Sequence, residues 1–182
     1  MRAYDVAVGN TFKIEGIDDT EFIKFPWSNR SEVAVVTRDI IFKSRFGDDN
    51  NIKRSDVINK LLEEFLPRIE QAVGANNVHY FDTDLTALDG LNAGEIMYSK
   101  ISLPTLDFYR RNVNIFDKYK PNDYWWLATP WSVKPHYDPY YIECVTPSGR
   151  VICNNYGNGY GVRPFLIFDS SIFVSEETDN AW

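Results

Sequence analysis

The chain is poor in the residues that most often carry nucleophilic or metal chemistry. Its 182 residues include two cysteines and two histidines. Cys144 and Cys153 are too few for a disulfide framework or a zinc site. No G-x-S-x-G, H-E-x-x-H or C-x-x-C occurs, which removes the nucleophile elbow, the zincin helix and the dithiol motif. Long apolar runs are missing as well, since no stretch approaches the roughly 18 consecutive apolar residues of a membrane helix. Gly9, Asn10 and Lys13 interrupt the N-terminal stretch before a signal-peptide core could form. These absences point to a soluble, cytosolic protein with free thiols and no membrane partner. Basic residues are outnumbered, 19 Lys and Arg against 26 Asp and Glu, for a net charge of −7 and a pI near 4.8. That balance argues against a broad basic nucleic-acid surface and against sequence-specific DNA binding by the chain itself. Self-association stays open.

Aromatics are what the chain has in excess: 5 Trp, 11 Tyr and 12 Phe make 15% of it. Each ring buries about 150–250 Å², so a large core can be built from few elements. Apolar alternation predicts strands over 6–14, 21–27, 32–37 and 40–42, followed by a polar loop over 45–54. Asp48 and Asp49 in that loop read as a solvated tip, with a metal as the alternative. Ser55 offers a helix N-cap and Asp56 complements the dipole. Val57, Ile58, Leu61, Leu62, Phe65 and Ile69 recur at helical spacing. Pro67 is expected to end or kink this helix near Leu66, and Gly74 to stop its continuation. Ser102 and Pro104 suggest the cap and first turn of a second helix reaching about Asn112.

Residues 140–155 read as a hairpin. Pro147 suits the second position of a type I turn, and Gly149 the left-handed bulge after it. That loop pairs Thr146 with Arg150 and Cys144 with Ile152, turning the two thiols to opposite faces. A two-residue turn at Ser148-Gly149 would instead set Cys144 opposite Cys153. The whole is expected to be one α+β domain over 1–175, with twisted, mainly antiparallel sheets, two helices and a loose tail at 176–182.

By residue type the best acid–base or cation candidates are His79, Asp82 and Asp84, with Asp89 nearby. Two carboxylates at i and i+2 share a strand face and could hold a divalent cation through oxygen ligands. The spacing is not that of a calcium loop, and Asp also serves as a turn and cap residue here. A recognition surface is the other reading. Trp131, His136, Tyr137, Tyr140, Tyr156, Asn158 and Tyr160 lie in or beside long loops rich in Asn, Gly and Pro, a composition suited to binding. Trp125 and Trp126 point to opposite strand faces, so that at most one need be core. Arg163, next to Pro164, is expected to be partly buried against a carboxylate or a Trp face.

At 125–130 (WWLATP), Gly149 and 161–166 (GVRPFL) the chain resembles a domain family of unknown function common in Firmicutes and their phages. The family pattern is W-W-L-R-[ST]-P, a hairpin with D/S-G, then G-V-R-P. The segments 51–65 and 101–105 resemble the corresponding upstream regions, while Ala128 stands where the family usually has Arg. The ending is also similar to C-type-lectin-like folds. The resemblance implies a C-type-lectin-like domain and, for an acidic chain of this size, a phage or mobile-element anti-CRISPR protein. Its partner would be a type II CRISPR effector nuclease with its guide RNA in the bacterial cytoplasm. Trp131, His136, Tyr137, Tyr140, Tyr156, Asn158, Tyr160, Asp48 and Asp49 would be the contacts. Trimming of guide RNA by His79, Asp82 and Asp84 is a variant of that reading, and a lectin-like binding module of a phage or cell-surface protein is the alternative.

Overall fold

The computed structural model describes residues 1–92, 96–133 and 139–177, with Glu177 by its backbone alone. After a single 3-10 turn at Ala3–Asp5, the strands Thr11–Lys13 (β1), Glu21–Phe25 (β2) and Glu32–Thr37 (β3) form an antiparallel meander. The expected first strand is thus cut to its last part. Phe42–Ser44 (β4) follows, two residues later than alternation suggested.

Ser55 caps the long helix as expected, its hydroxyl accepting from the Ile58 amide at 2.9 Å. The helix runs as Asp56–Lys60 (α1), a π-helical stretch at Leu61–Phe65 and Leu66–Val73 (α2). Pro67 therefore neither ends nor breaks it. The Leu66 amide bonds back to the Leu61 carbonyl, one residue further than in an α-turn, and this wider turn directly precedes the proline that lacks an amide. Gly74, at φ +90°, is the stop.

Phe81–Asp84 (β5) pairs with Ile96–Ser99 (β6), and Ile101–Ser102 (β7) comes next. Because β7 joins a sheet, Ser102 does not cap the second helix. Thr105 does, accepting from the Phe108 amide at 3.2 Å ahead of Leu106–Arg111 (α3) and Val113–Phe116 (α4). Trp125–Pro130 (β8), Tyr141–Val145 (β9), Val151–Asn155 (β10), Tyr160–Val162 (β11), Phe165–Asp169 (β12) and Ser175–Glu177 (β13) complete the order. The β9–β10 hairpin has the three-residue loop: Cys144 faces Ile152, and Gly149 sits at φ +85°. β13 pairs with β1, and Asn10 Nδ2 donates to Glu176 Oε1 at 2.8 Å, so the tail does not begin at 176. Residues 178–182 lie outside the described residues.

One sheet has the order β13-β1-β2-β3-β12-β7, a second β10-β9-β8-β11-β4, and β5-β6 forms a two-stranded third, with β8 and β11 parallel and the remaining pairs antiparallel. The two larger sheets are covered on both faces. Val33, Val35, Leu166, Phe168 and Trp126 join a core that includes Val57, Leu61 and Ile69 of the long helix. Ala34, Val36, Phe165, Ile167 and Trp125 join a second core with Leu106, Tyr109 and Phe116. Trp125 and Trp126 do point to opposite faces, yet both are buried, because each face has its own helical layer. The result is an α+β fold of mostly antiparallel sheets. Among the described residues no helix is long and apolar enough to cross a membrane.

Candidate binding surface

Three loops are stitched together at one end of the β8–β11 sheet. Asn50, 4% exposed, donates through Nδ2 to the carbonyls of Ser132 (2.7 Å) and Tyr141 (3.0 Å). The Phe46 amide donates to the Tyr156 carbonyl at 2.7 Å, and the Tyr156 amide to the Tyr140 carbonyl at 3.0 Å. A polar side chain so deeply buried is retained where its hydrogen bonds are made, and Asn50 acts as the clasp between loops. A cavity of about 310 Å³ opens beside it, lined by Asp48, Asp49, Leu85, Pro130 and Pro139 among others. Asp49 accepts from the Asn51 amide and pairs with Arg54, while Asp48, highly exposed, pairs with Arg45 at 3.0 Å. Both carboxylates thus have cationic partners. Among the described residues no group of three or more His, Cys, Asp or Glu could hold a metal ion.

Four rings meet at this end. Tyr140 is 44% exposed and stacks on Tyr156 at 5.9 Å between centroids. Tyr141 is 40% exposed, and Trp131 meets it edge-on at 5.9 Å. Tyr160 turns inward instead, packed 4.6 Å from Trp126 and 5.0 Å from Tyr124, with its hydroxyl accepting from Asn154 Nδ2. Burial raises its pKa. Asn158 donates to Asn154 Oδ1 at 2.7 Å and closes its own loop. Tyr160 and Asn158 are both half-buried and engaged within the domain. His136 and Tyr137 lie outside the described residues.

The acid–base candidates are held apart. His79 Nδ1 lies 3.1 Å from Glu32 Oε1, and its Nε2 lies 3.8 Å from Asp169 Oδ2. Asp84 accepts from the amide and hydroxyl of Thr86, a local turn that lowers its pKa. Asp82 stands exposed on β5 opposite Tyr98. His79 is engaged by Glu32 and Asp169 rather than by Asp82 or Asp84. Neither carboxylate of that network was singled out by sequence, since nothing local ties Glu32 or Asp169 to His79.

Arg163 is fully buried, not partly so. Its Nε donates to the Thr37 carbonyl (3.0 Å) and its Nη2 to that of Arg38 (2.8 Å), with the guanidinium 4.7 Å from the Trp125 ring centroid. Burial lowers its pKa to about 9, with Asp39 opposing, and it stays protonated at neutral pH. The Pro164 carbonyl accepts from the Thr37 amide. Both residues belong to the frame. A buried Glu143, unremarked in the sequence, sits across from Cys153 with Oε1 lacking a partner among the described residues. Its one local signal is a carboxylate within an apolar strand. Burial raises the Glu143 pKa, with Arg110 opposing, and pushes the Cys144 thiol up to about 12. The thiols occupy opposite faces, Cys144 buried and Cys153 exposed, so paired-thiol chemistry finds no geometry here.

Comparison with family models, with curated proteins and with solved structures finds no match for this chain.

Proposed function

We propose that this protein is a binding inhibitor rather than an enzyme, and that its loop-built end is the binding face. The observation that carries this is convergence. Trp131, the adjacent Tyr140 and Tyr141, and Tyr156 come from three chain segments to one end, beside a cavity edged by Asp48 and Asp49. Exposed Tyr and Trp present large rigid contact area at low conformational-entropy cost, the character of interface hot spots. The residues that acid–base chemistry would need are dispersed instead.

The partner in this reading is a guide-loaded type II RNA-guided DNA nuclease. The choice rests on the sequence resemblance, as does the reading of the frame as C-type-lectin-like. It is supported by the net charge of −7, which would steer the protein towards a basic nucleic-acid channel. An occupant of that surface would prevent protospacer-motif reading, strand pairing or cleavage-domain docking without any chemistry of its own.

The test is target-DNA cleavage by the guide-loaded nuclease, titrated with this protein, with guide length read from the same samples on a denaturing gel. The expected result is stoichiometric loss of cleavage with a full-length guide. A shortened guide would replace binding by a ribonuclease activity. No inhibition across several effectors would overturn the assignment and favour a lectin-like ligand-binding module.

A further inference from the structure

A pocket of about 240 Å³ opens beside α3 and shares no lining residue with the loop-built cavity. Four rings shape it. Phe165 is central, with Phe81 and Phe108 each 5.0 Å away edge-on and Trp27 at 5.9 Å. Phe165 is buried and Trp27 is 40% exposed, so aromatic surface runs from the core out to solvent. Asp82, Asp84 and Asp107 also line the pocket, with Arg111 as the cation among the described lining residues.

The rings and carboxylates are preset. Trp27 Nε1 donates to Glu32 Oε2 at 2.9 Å, and Glu32 Oε1 meets His79 Nδ1 at 3.1 Å. His79, a catalytic candidate by sequence, thus sits behind Trp27 and contacts the same carboxylate. Asp84 is fixed by Thr86 and stays ionised. Asp82 and Asp107 have no hydrogen bond or ion pair among the described residues, so their carboxylates stand open at the rim.

Aromatic faces attract cations, and carboxylates accept the forked N–H groups of a guanidinium. An anion would meet three carboxylates against one arginine. A neutral apolar group would leave the carboxylates desolvated and unpaired. A planar guanidinium on an aliphatic stem satisfies both surfaces, stacking on a ring while donating to the rim. We propose that this pocket binds an arginine side chain presented by a protein partner. The inference stands apart from the loop-end reading, because the two sites use different residues.

The probe is the peptide Ac-Gly-Arg-Gly-amide, followed by the Trp27 indole N–H resonance of isotope-labelled protein, assigned through Trp27→Phe. That resonance shifts saturably with the arginine peptide and not with its citrulline counterpart, which keeps the shape and lacks the charge. The D82N/D107N variant, whose altered side chains are exposed and unpaired, binds about fivefold more weakly or worse. The Y140A/Y156A variant binds the peptide as the parent does. No saturable shift, an equal shift with citrulline, unchanged affinity in D82N/D107N, or loss in Y140A/Y156A would each overturn the assignment.

Discussion

The side chain of Ile40 lies across the backbone of Gly161 so closely that a Cβ there would stand 2.3 Å from Ile40 Cδ1 and 2.6 Å from Cγ1. Gly161 is not among the positive-φ glycines, so contact rather than conformation demands glycine. It also sits between β4 and β8, opposite Lys43 and Trp125. Gly161→Ala is therefore expected to destabilise the fold by about 1–3 kcal/mol through overpacking. Ile40→Ala in the same chain recovers part of that loss, although alone it also destabilises. Denaturant unfolding of the four proteins in a double-mutant cycle checks this, and strictly additive effects would contradict it.

The two thiols should differ sharply in reactivity. Cys144 is buried with its pKa pushed up to about 12, whereas Cys153 is exposed with a smaller rise caused by partial burial and Glu143. Since the thiolate is the reactive form, iodoacetamide at neutral pH labels one site in the folded protein and two in denaturant. Intact-mass spectrometry reads the count. Cys153→Ser should leave the folded protein unlabelled, and rapid labelling of that variant would contradict the packing around Cys144.

Glu143 makes stability depend on pH in a direction opposite to that of an ion-paired acid. Burial raises its folded pKa above the unfolded value near 4.5. The folded state therefore binds the extra proton between the two values, and the stability present below about pH 4.5 is lost as pH rises through the folded pKa. Glu143→Gln removes the ionised state and is expected to raise stability, and with it Tm, at pH 8. Thermal melts at pH 4 and pH 8 test it. An E143Q protein less stable than the parent at pH 8 would show that the carboxylate is compensated.

Local chemistry was readable where one geometry suits several residues at once. Pro147 and Gly149 are both best suited by the three-residue turn, and the observed pairing of Cys144 with Ile152 agrees with it. Ser55 and Gly74 marked the ends of the long helix for similarly local reasons. Long-range pairing was not readable. Ser102 and Thr105 are both able caps, and what decides between them is the pairing of Ser102 with Phe165 some sixty positions away. The burial of both Trp125 and Trp126 depends on helical layers on each side of β8, which strand alternation cannot report. Aromatic loop composition singled out Tyr140 and Trp131, and the fold brings both to one end. Residue type alone grouped His79 with Asp82 and Asp84, whereas the fold gives His79 to Glu32, 47 positions earlier.

The central claim is that the loop-built end, and not a catalytic centre, makes this protein act. It is tested most directly by the affinity of the parent and of Y140A/Y156A for the guide-loaded nuclease, measured by titration calorimetry. Tyr140 is 44% exposed and Tyr156 partly so. The account predicts binding by the parent and at least about tenfold weaker binding by the tyrosine variant, with both proteins folded at the temperature of the titration. Equal affinity of the two proteins, or no binding by either, would contradict it.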